Sequence, residues 1–346
     1  MGRPAMTPEW HYVSRRFDRF IEDLIPTETE SRAAQVAAAE VAACLRAHFR
    51  PLDNLLAGGF PDVGESDYIV TGGHGKGTAV RPATVVDMLY VFPSASHARL
   101  KDARAPTADW MADQLVHAVG ARFAAVAARG DGWITVTTDE VLAEGGPGRD
   151  LAVNVLPCLS KSGSAEGRRF GYPTCDADGL ATWRTIDPGA EYNRLRAADE
   201  AGDGKATHLI LMLKAWRRAR DVPLASFAIE LLVTEFVATW NYQRRGLLFY
   251  DWMVRDFFFW LCHQDGRALA VPGTNDHLVG LGDAWLGAAR SAFAAARRAC
   301  DAERRNASDA ALGDWRGIFG ESFPAPGELW NLPEARAPVR LASLAS

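Results

Sequence analysis

The chain has 346 residues, of which 48% are hydrophobic and 23% charged, with a formal net charge of −5 at pH 7. These values are typical of a soluble globular protein with two domains or one large one, and they give no strong nucleic-acid signal, since no broad positive field is implied. Five widely spaced cysteines without a CxxC pair argue against a disulfide framework or a zinc site. No stretch matches a signal peptide or a membrane span, so we expect a cytoplasmic protein with no membrane partner.

The first part of the chain predicts helices followed by a small mixed sheet. Apolar residues at helical spacing predict a helix over 8–25, and an alanine-rich stretch predicts a longer one over 29–49. Thr27 and Glu30 form a plausible capping box before it. Further along the chain, the pattern predicts strands in 67–71, 85–92, 133–139 and 151–159, the last stopping at Pro157, with a helix over 106–128.

The character of the sequence changes in its second half. Residues 161–204 are polar and rich in glycine, and they predict connecting loops. From about residue 205 the sequence consists of helical stretches, while the final residues predict a flexible tail. We therefore expect an α+β first domain and a helical second domain.

The stretch TGGHGKGTAVRPATVVDMLYVFP, residues 71–93, has the glycines and lysine of a phosphate-binding loop. A P-loop requires a hydroxyl residue directly after its lysine, whereas Lys76 is followed by Gly77 and only then by Thr78. A strand, not a long helix, is predicted next, and a GxGxxG fingerprint fails for the same reason. The pattern alone leaves a plain flexible turn as an equal alternative.

Five segments of the chain follow one another in a recognisable order. They are the glycine loop through Asp87, LAVNVLPCL (151–159), GYPTCDADGLATWRTIDP (171–188), LILMLKAWRRARDVPLASFAIELLV (209–233) and DWRGIFGESFP (314–324). In this order they resemble the bacterial cGAS/DncV-like nucleotidyltransferases. These CD-NTases (SMODS-type) are related to oligoadenylate synthase and make cyclic oligonucleotides in anti-phage, CBASS-type defence.

The resemblance implies two lobes with a nucleotide in the cleft between them. It places a polymerase-beta-like mixed-sheet core with its long N-terminal helix in residues 1–204, a helical domain in 205–330 and the tail in 331–346. It also implies ATP, GTP or another nucleoside triphosphate as ligand, Mg²⁺ or Mn²⁺ as cofactor, and a defence-operon effector or regulator protein as partner.

The resemblance further implies a metal site of three carboxylates, because two-metal phosphoryl transfer needs hard oxygen ligands. Residue by residue, the second acid matches Asp87, the first matches Val85 and the third matches Asn154. Gly73 stands where the family has a serine. The sequence therefore predicts a catalytic site in which only Asp87 remains as a metal ligand. Asp139, Glu140 and Asp150 are substitute ligands by sequence proximity alone.

The positions matched to nucleotide contacts depart less from the family pattern than the metal-ligand positions do. Gly72 and Gly73 can present backbone N–H groups to phosphates. By resemblance, Lys214 contacts the triphosphate, Ser226 adds a hydroxyl contact, and Phe227 stacks on the base. Without the resemblance, the local sequence predicts that Lys214 is a solvated helix residue and that Phe227 is a core residue.

Three hypotheses follow for function. The first is a pseudoenzyme that binds nucleoside triphosphate with weak or absent synthesis, because two of the three metal carboxylates are replaced. The second is an active cyclic di- or oligonucleotide synthase with a rearranged metal site. The third is a non-catalytic interaction module.

Overall fold

The computed structural model describes residues 11–56, 67–92, 108–128, 131–138, 150–161, 169–175, 181–241, 249–278 and 281–325. Their contacts divide the chain into two compact units. The sheet unit comprises residues 26–194 and 270–276, and the helical unit comprises the described parts of 1–25, 195–269 and 277–346. The expected α+β class, with a mixed sheet followed by helices, is confirmed. Among the described helices, none is both long and apolar enough to cross a membrane.

The sheet unit is built on one mixed sheet in the order β1–β2–β5–β4–β3, with β6 and β7 continuing from β5. Strands β2 and β5 are parallel, and the other neighbours are antiparallel. The strands are β1 (Tyr68–Thr71), β2 (Val85–Val91), β3 (Ala125–Ala128), β4 (Ile134–Thr138), β5 (Leu151–Lys161), β6 (Arg169–Cys175) and β7 (Ala181–Ile186).

Two helices, α2 (Glu28–Leu56) and α4 (Ala108–Gly120), share a buried core with one face of this sheet. Side chains alternate along a strand, so Val86, Met88 and Tyr90 enter that core while Val85 and Asp87 point to the opposite face. On that second face Leu89 and Val91 join a smaller buried cluster, so Asp87 lies nearer the start of β2 than this cluster does.

Helix α2 begins at the predicted capping box. The Thr27 hydroxyl accepts a hydrogen bond from the Glu30 backbone N–H (3.1 Å), and the Glu30 carboxylate accepts one from the Thr27 N–H (2.8 Å). Both contacts satisfy donors that lack a partner inside the helix.

The helical unit has an aromatic core that includes the first helix. Its helices are α1 (His11–Leu24), α6 (Lys205–Ala219), α7 (Ser226–Thr239), α8 (Tyr250–Leu261), α9 (Leu286–Arg304) and α10 (Ser308–Phe319). Phe17 of α1 lies edge-on to Trp315 at 5.0 Å between ring centroids and to Phe323 at 5.1 Å. This packing groups α1 with the C-terminal helices, whereas the predicted domain 1–204 placed it with the sheet.

The described residues also form a two-stranded sheet and a further helix of 15 residues. The strands β8 (Leu269–Ala270) and β9 (His277–Leu278) pair with each other. Helix α5 (Pro188–Gly202) contains the boundary between the two units, which falls after Arg194.

Three expectations about local structure were wrong. The helix predicted over 106–128 ends at Gly120, because Ala125–Ala128 pairs with β4 and this pairing overrides the helical preference of alanine. Residues 161–204, expected to be loops, contain β6, β7 and α5. The predicted tail, 331–346, lies outside the described residues.

The third error concerns Pro157, which does not end its strand. Strand β5 pairs with β4 as far as Val155 and with β6 from Leu159. On this edge Pro157 therefore lies between the two partners, while on the other edge it stands beside Tyr90 of β2, so its missing N–H falls in the gap between β4 and β6.

Candidate functional site

Strands β2 and β5 bring Val85, Asp87 and Asn154 to one face of the sheet. Val85 and Asp87 are two residues apart and so point the same way. The parallel register places Asn154 directly beside Asp87. The three positions matched to the metal ligands thus converge, although only one of them carries a carboxylate.

A chain of hydrogen bonds fixes the side chains at this point. The Asn154 amide donates from Nδ2 to Asp87 Oδ1 over 2.8 Å, and the Thr135 hydroxyl donates to Asn154 Oδ1 over 2.8 Å. Thr135 lies opposite Asn154 in the β4–β5 register. We call this arrangement the Thr135–Asn154–Asp87 chain, and it engages both ends of the Asn154 amide.

Sequence reasoning missed Thr135, although a signal was present. In the segment ITVTT, buried and half-buried residues alternate, with Ile134 and Val136 in the core. That alternation puts Thr135 on the opposite face. Only the register shows that it meets Asn154.

The glycine loop packs directly against Asp87. The predicted turn is a five-residue helix, α3 (Gly72–Lys76), whose Gly73 carbonyl accepts hydrogen bonds from the N–H groups of Thr78 (2.8 Å) and Ala79 (3.0 Å). Gly72 has φ of +59°, and a methyl group added there would lie 2.2 Å from Asp87 Oδ2. Glycine is required here both by the backbone conformation and by the proximity of the carboxylate.

Gly73 also lies in a confined position. A Cβ added to it would lie 3.0 Å from the Ala79 Cα and 3.1 Å from the Ala79 backbone nitrogen. The family's serine would therefore require the backbone at Ala79 to move by a few tenths of an ångström. The glycine is matched to the tight packing of this loop.

Lys76, the one lysine of the glycine loop, is engaged in a buried ion pair. Its ammonium lies 2.8 Å from Glu191 Oε2, and the two side chains are only 7% and 6% exposed. Glu191 belongs to the first turn of α5. The pair holds α3 against α5, and a carboxylate already balances the charge that suggested a phosphate-binding lysine.

The three matched positions do not fit a two-metal site. Val85 is 48% exposed but offers no ligand atom, and the carbonyl oxygen of Asn154 accepts from Thr135 while its NH₂ group faces Asp87. Among the described residues, no group of three or more His, Cys, Asp and Glu side chains is placed to hold a metal ion. Of the substitute acids, Asp150 is described and exposed, whereas Asp139 and Glu140 lie outside the described residues.

The remaining nucleotide-binding candidates belong to the helical unit. Lys214 is largely buried, and its ammonium lies 2.7 Å from Glu230 Oε1, with side-chain exposures of 11% and 8%. Ser226 is the first residue of α7, and both Ser226 and Phe227 are half-buried. Lys214 is thus an ion-paired residue of a helix interface, since α6 and α7 pack together.

The chain was compared with known proteins by sequence and by structure. No protein-family model matches the sequence. A curated relative, described as a probable cyclic nucleotide synthase of Bacillus cereus (strain VD146), is 22% identical over 181 residues, which are 51% of this chain. The chain spans 53% of the length of that relative.

Solved structures align over nearly the whole chain. CdnC of E. coli MS115-1, in complex with HORMA-deltaN, superposes with a TM-score of 0.60 at 20% identity, covering 90% of this chain and 98% of CdnC. DncV of Vibrio cholerae, in its GTP-bound form, gives a TM-score of 0.67 at 12% identity, covering 93% and 97%. The chain therefore has the cGAS/DncV-like nucleotidyltransferase fold that its sequence motifs resemble.

Proposed function

We propose that this protein binds a nucleoside triphosphate such as ATP or GTP and makes little or no cyclic oligonucleotide from it. In this proposal it is a pseudoenzyme of the CD-NTase type that acts in cytoplasmic anti-phage defence. The nucleotidyltransferase fold supports the ligand class, and the side chains around Asp87 support the loss of synthesis.

The observation that carries the proposal is the Thr135–Asn154–Asp87 chain. Where the resemblance implies three metal-binding carboxylates, the sheet presents one carboxylate, one amide that donates to it and one valine. Metal ions contribute several kcal/mol of transition-state stabilisation, so their loss lowers the rate by about a thousandfold or more, at roughly 1.4 kcal/mol per factor of ten.

The binding of nucleotide is supported by the structures that share the fold. CdnC has a structure with ATP, and DncV has one in a GTP-bound form. In this chain Lys214, Ser226 and Phe227 stand at the positions that the resemblance assigns to triphosphate, hydroxyl and base contacts. Phe227 is half-buried, and stacking of an aromatic side chain on a base contributes about 1–3 kcal/mol.

The test separates binding from synthesis. Purified protein is incubated with labelled nucleoside triphosphates and either Mg²⁺ or Mn²⁺, and the products are separated by chromatography. The expected result is a nucleotide-dependent rise in melting temperature without a cyclic or linear oligonucleotide. A product that forms with the wild type and disappears in Asp87→Ala would show that the protein is a synthase.

Two substitutions locate the nucleotide contact. The Lys214 ammonium already pairs with Glu230, so a phosphate has to share or replace this partner. Lys214→Met removes the ammonium but keeps the length and apolar character of the side chain, and we expect it to abolish the nucleotide-induced stabilisation. Glu230→Gln is the control, because it removes the opposing charge and keeps Lys214. If both variants respond to ATP like the wild type, Lys214 is not a phosphate contact.

A second candidate function is supported by the structure of CdnC in complex with HORMA-deltaN. In one version, a regulator protein completes the deficient metal site, and the chain is an active synthase with a rearranged metal site. In the other version, the chain only binds its protein partner and catalyses no reaction. Adding the candidate regulator to the synthesis assay distinguishes these outcomes. Product that appears only with the regulator supports an active synthase, and binding without product supports an interaction module.

A further inference from the structure

We propose that the nucleotide site of this chain takes its triphosphate without a divalent cation. This inference rests on the proposed nucleotide-binding function and specifies the ionic form of the ligand. The free polyanion is the ligand, in contrast to the magnesium complex that three carboxylates would require.

The first argument concerns the two oxygens of Asp87. Oδ1 accepts the Asn154 amide hydrogen bond at 2.8 Å, so amide hydrogens occupy the side of the carboxylate where the third metal ligand would stand. Oδ2 lies so close to Gly72 that a methyl group there would be 2.2 Å away. Magnesium at a nucleotide is usually held by one or two carboxylates together with phosphates and water, and here both oxygens of the one carboxylate are already engaged by the amide and the Gly72 backbone.

The second argument concerns the orientation of Asn154. Reversing the amide would offer its oxygen to a cation, but it would also set that oxygen against the Asp87 carboxylate. The Thr135 hydroxyl, 2.8 Å from Asn154 Oδ1, favours the observed orientation. Thr135 is therefore a positioning residue that keeps an N–H donor at the place where a metal ligand is expected.

The third argument is electrostatic. Three adjacent carboxylates repel a triphosphate, and a bridging cation is needed to hold both in one site. Here Val85 is neutral, Asn154 is neutral and the charge of Asp87 is stabilised by the amide. A triphosphate meets much less repulsion at this site, and a bound magnesium ion gains few contacts from it.

The decisive measurement is isothermal titration of ATP into the full-length protein, once with excess EDTA and once with excess Mg²⁺. We expect the apparent dissociation constant to be at least about tenfold lower in EDTA, because excess Mg²⁺ sequesters the free triphosphate, whereas a metal-bridged site would weaken by about tenfold or more in EDTA. Equal constants in the two buffers would show that the magnesium complex binds as well and would overturn the inference. Binding that requires Mg²⁺ would overturn the inference but leave the proposed function standing. No binding in either buffer would overturn both.

A second experiment tests, without any nucleotide, whether the site around Asp87 excludes a divalent cation. Mn²⁺ titrated into the wild type and followed by electron paramagnetic resonance should remain free, and Mn²⁺ should leave the melting temperature unchanged. Asn154→Asp places a second carboxylate against Asp87, so we expect it to lower the melting temperature in EDTA and to regain it with Mn²⁺.

Asn154→Ala is the matched control, because it removes the amide without adding charge. It should be destabilised and insensitive to Mn²⁺. Tight Mn²⁺ binding by the wild type would overturn the proposal. An equal response of the two variants to Mn²⁺ would contradict the assignment of cation exclusion to Asn154.

Discussion

Asp87 is a half-buried carboxylate whose environment is set by its immediate neighbours. The Asn154 amide donates to one oxygen, and the Gly72 backbone lies against the other. A buried or half-buried charge is costly unless it has such partners. The same contacts that retain the charge also shape the glycine loop around it.

The first residue-scale prediction concerns Gly72. Gly72→Ala should lower the free energy of unfolding by at least about 2 kcal/mol, because alanine is strained at positive φ and its methyl group would collide with Asp87. Chemical denaturation measures this effect. Gly287→Ala, in α9 with open space around the site, is the control and should be neutral or slightly stabilising.

A second prediction at this scale concerns Asp251, in the first turn of α8. Burial, with a further contribution from Glu303, raises the pKa of Asp251 to about 6. The charged form is therefore penalised in the folded state, so this residue's contribution to stability is full below pH about 4 and is lost as the pH rises towards about 6.

Asp251→Asn should remove that loss and stabilise the protein at neutral pH by roughly 1–2 kcal/mol. Urea unfolding at a series of pH values provides the measurement. The exposed Asp309, in the first turn of α10, supplies the control variant Asp309→Asn. If both variants have the same pH profile, burial of Asp251 does not have the inferred effect.

At the scale of secondary-structure elements, the start of α2 depends on a local signal. Thr27→Ala should lower stability by about 1 kcal/mol, because it removes the hydroxyl that caps the Glu30 N–H. Thr29→Ala, at an exposed position inside the same helix, should change it by less than about 0.5 kcal/mol. Thermal unfolding of the two variants tests the difference, and equal losses would mean that the capping box does not stabilise α2.

Local signals also explain which elements the sequence could predict. The helix over 8–25, the capped α2 and the strand beginning at Val85 each follow a pattern written within the segment itself. The errors at 125–128 and Pro157 involve pairing with strands elsewhere in the chain. Pairing of this kind depends on tertiary register, which local propensity does not contain.

The candidate site likewise has features that the sequence could predict and features that it could not. Its sequence positions, Val85, Asp87 and Asn154, could be assigned by resemblance, and the β2–β5 register brings them together. The role of Thr135 and the ion pair between Lys76 and Glu191 could not be predicted, since each joins residues from distant segments. The assigned nucleotide contacts of the helical unit stay predictions.

At the scale of the whole molecule, α1 packs with helices almost three hundred residues away in sequence. Phe17 is fully buried among Tyr250, Trp315, Phe319 and Phe323. Arg16 beside it forms a buried ion pair with Glu303, which also accepts a hydrogen bond from Trp315. The helical unit is therefore built from both ends of the chain.

Phe17→Ala should accordingly destabilise the helical unit by about 3–5 kcal/mol. Hydrogen–deuterium exchange should rise in α10 far more than in α2, which belongs to the sheet unit. Phe259→Ala is the control, because that side chain is 54% exposed. A uniform rise in exchange across α2 and α10 would mean that α1 supports both units equally.

The contact between Asn154 and Asp87 also constrains the order in which this site can change. Val85→Asp adds a charge at an exposed position, while Asn154→Asp places two carboxylates at hydrogen-bond distance. We therefore expect Val85→Asp to be tolerated before Asn154→Asp. In a double-mutant cycle, the coupling free energy between these two substitutions should change sign when Mn²⁺ is added.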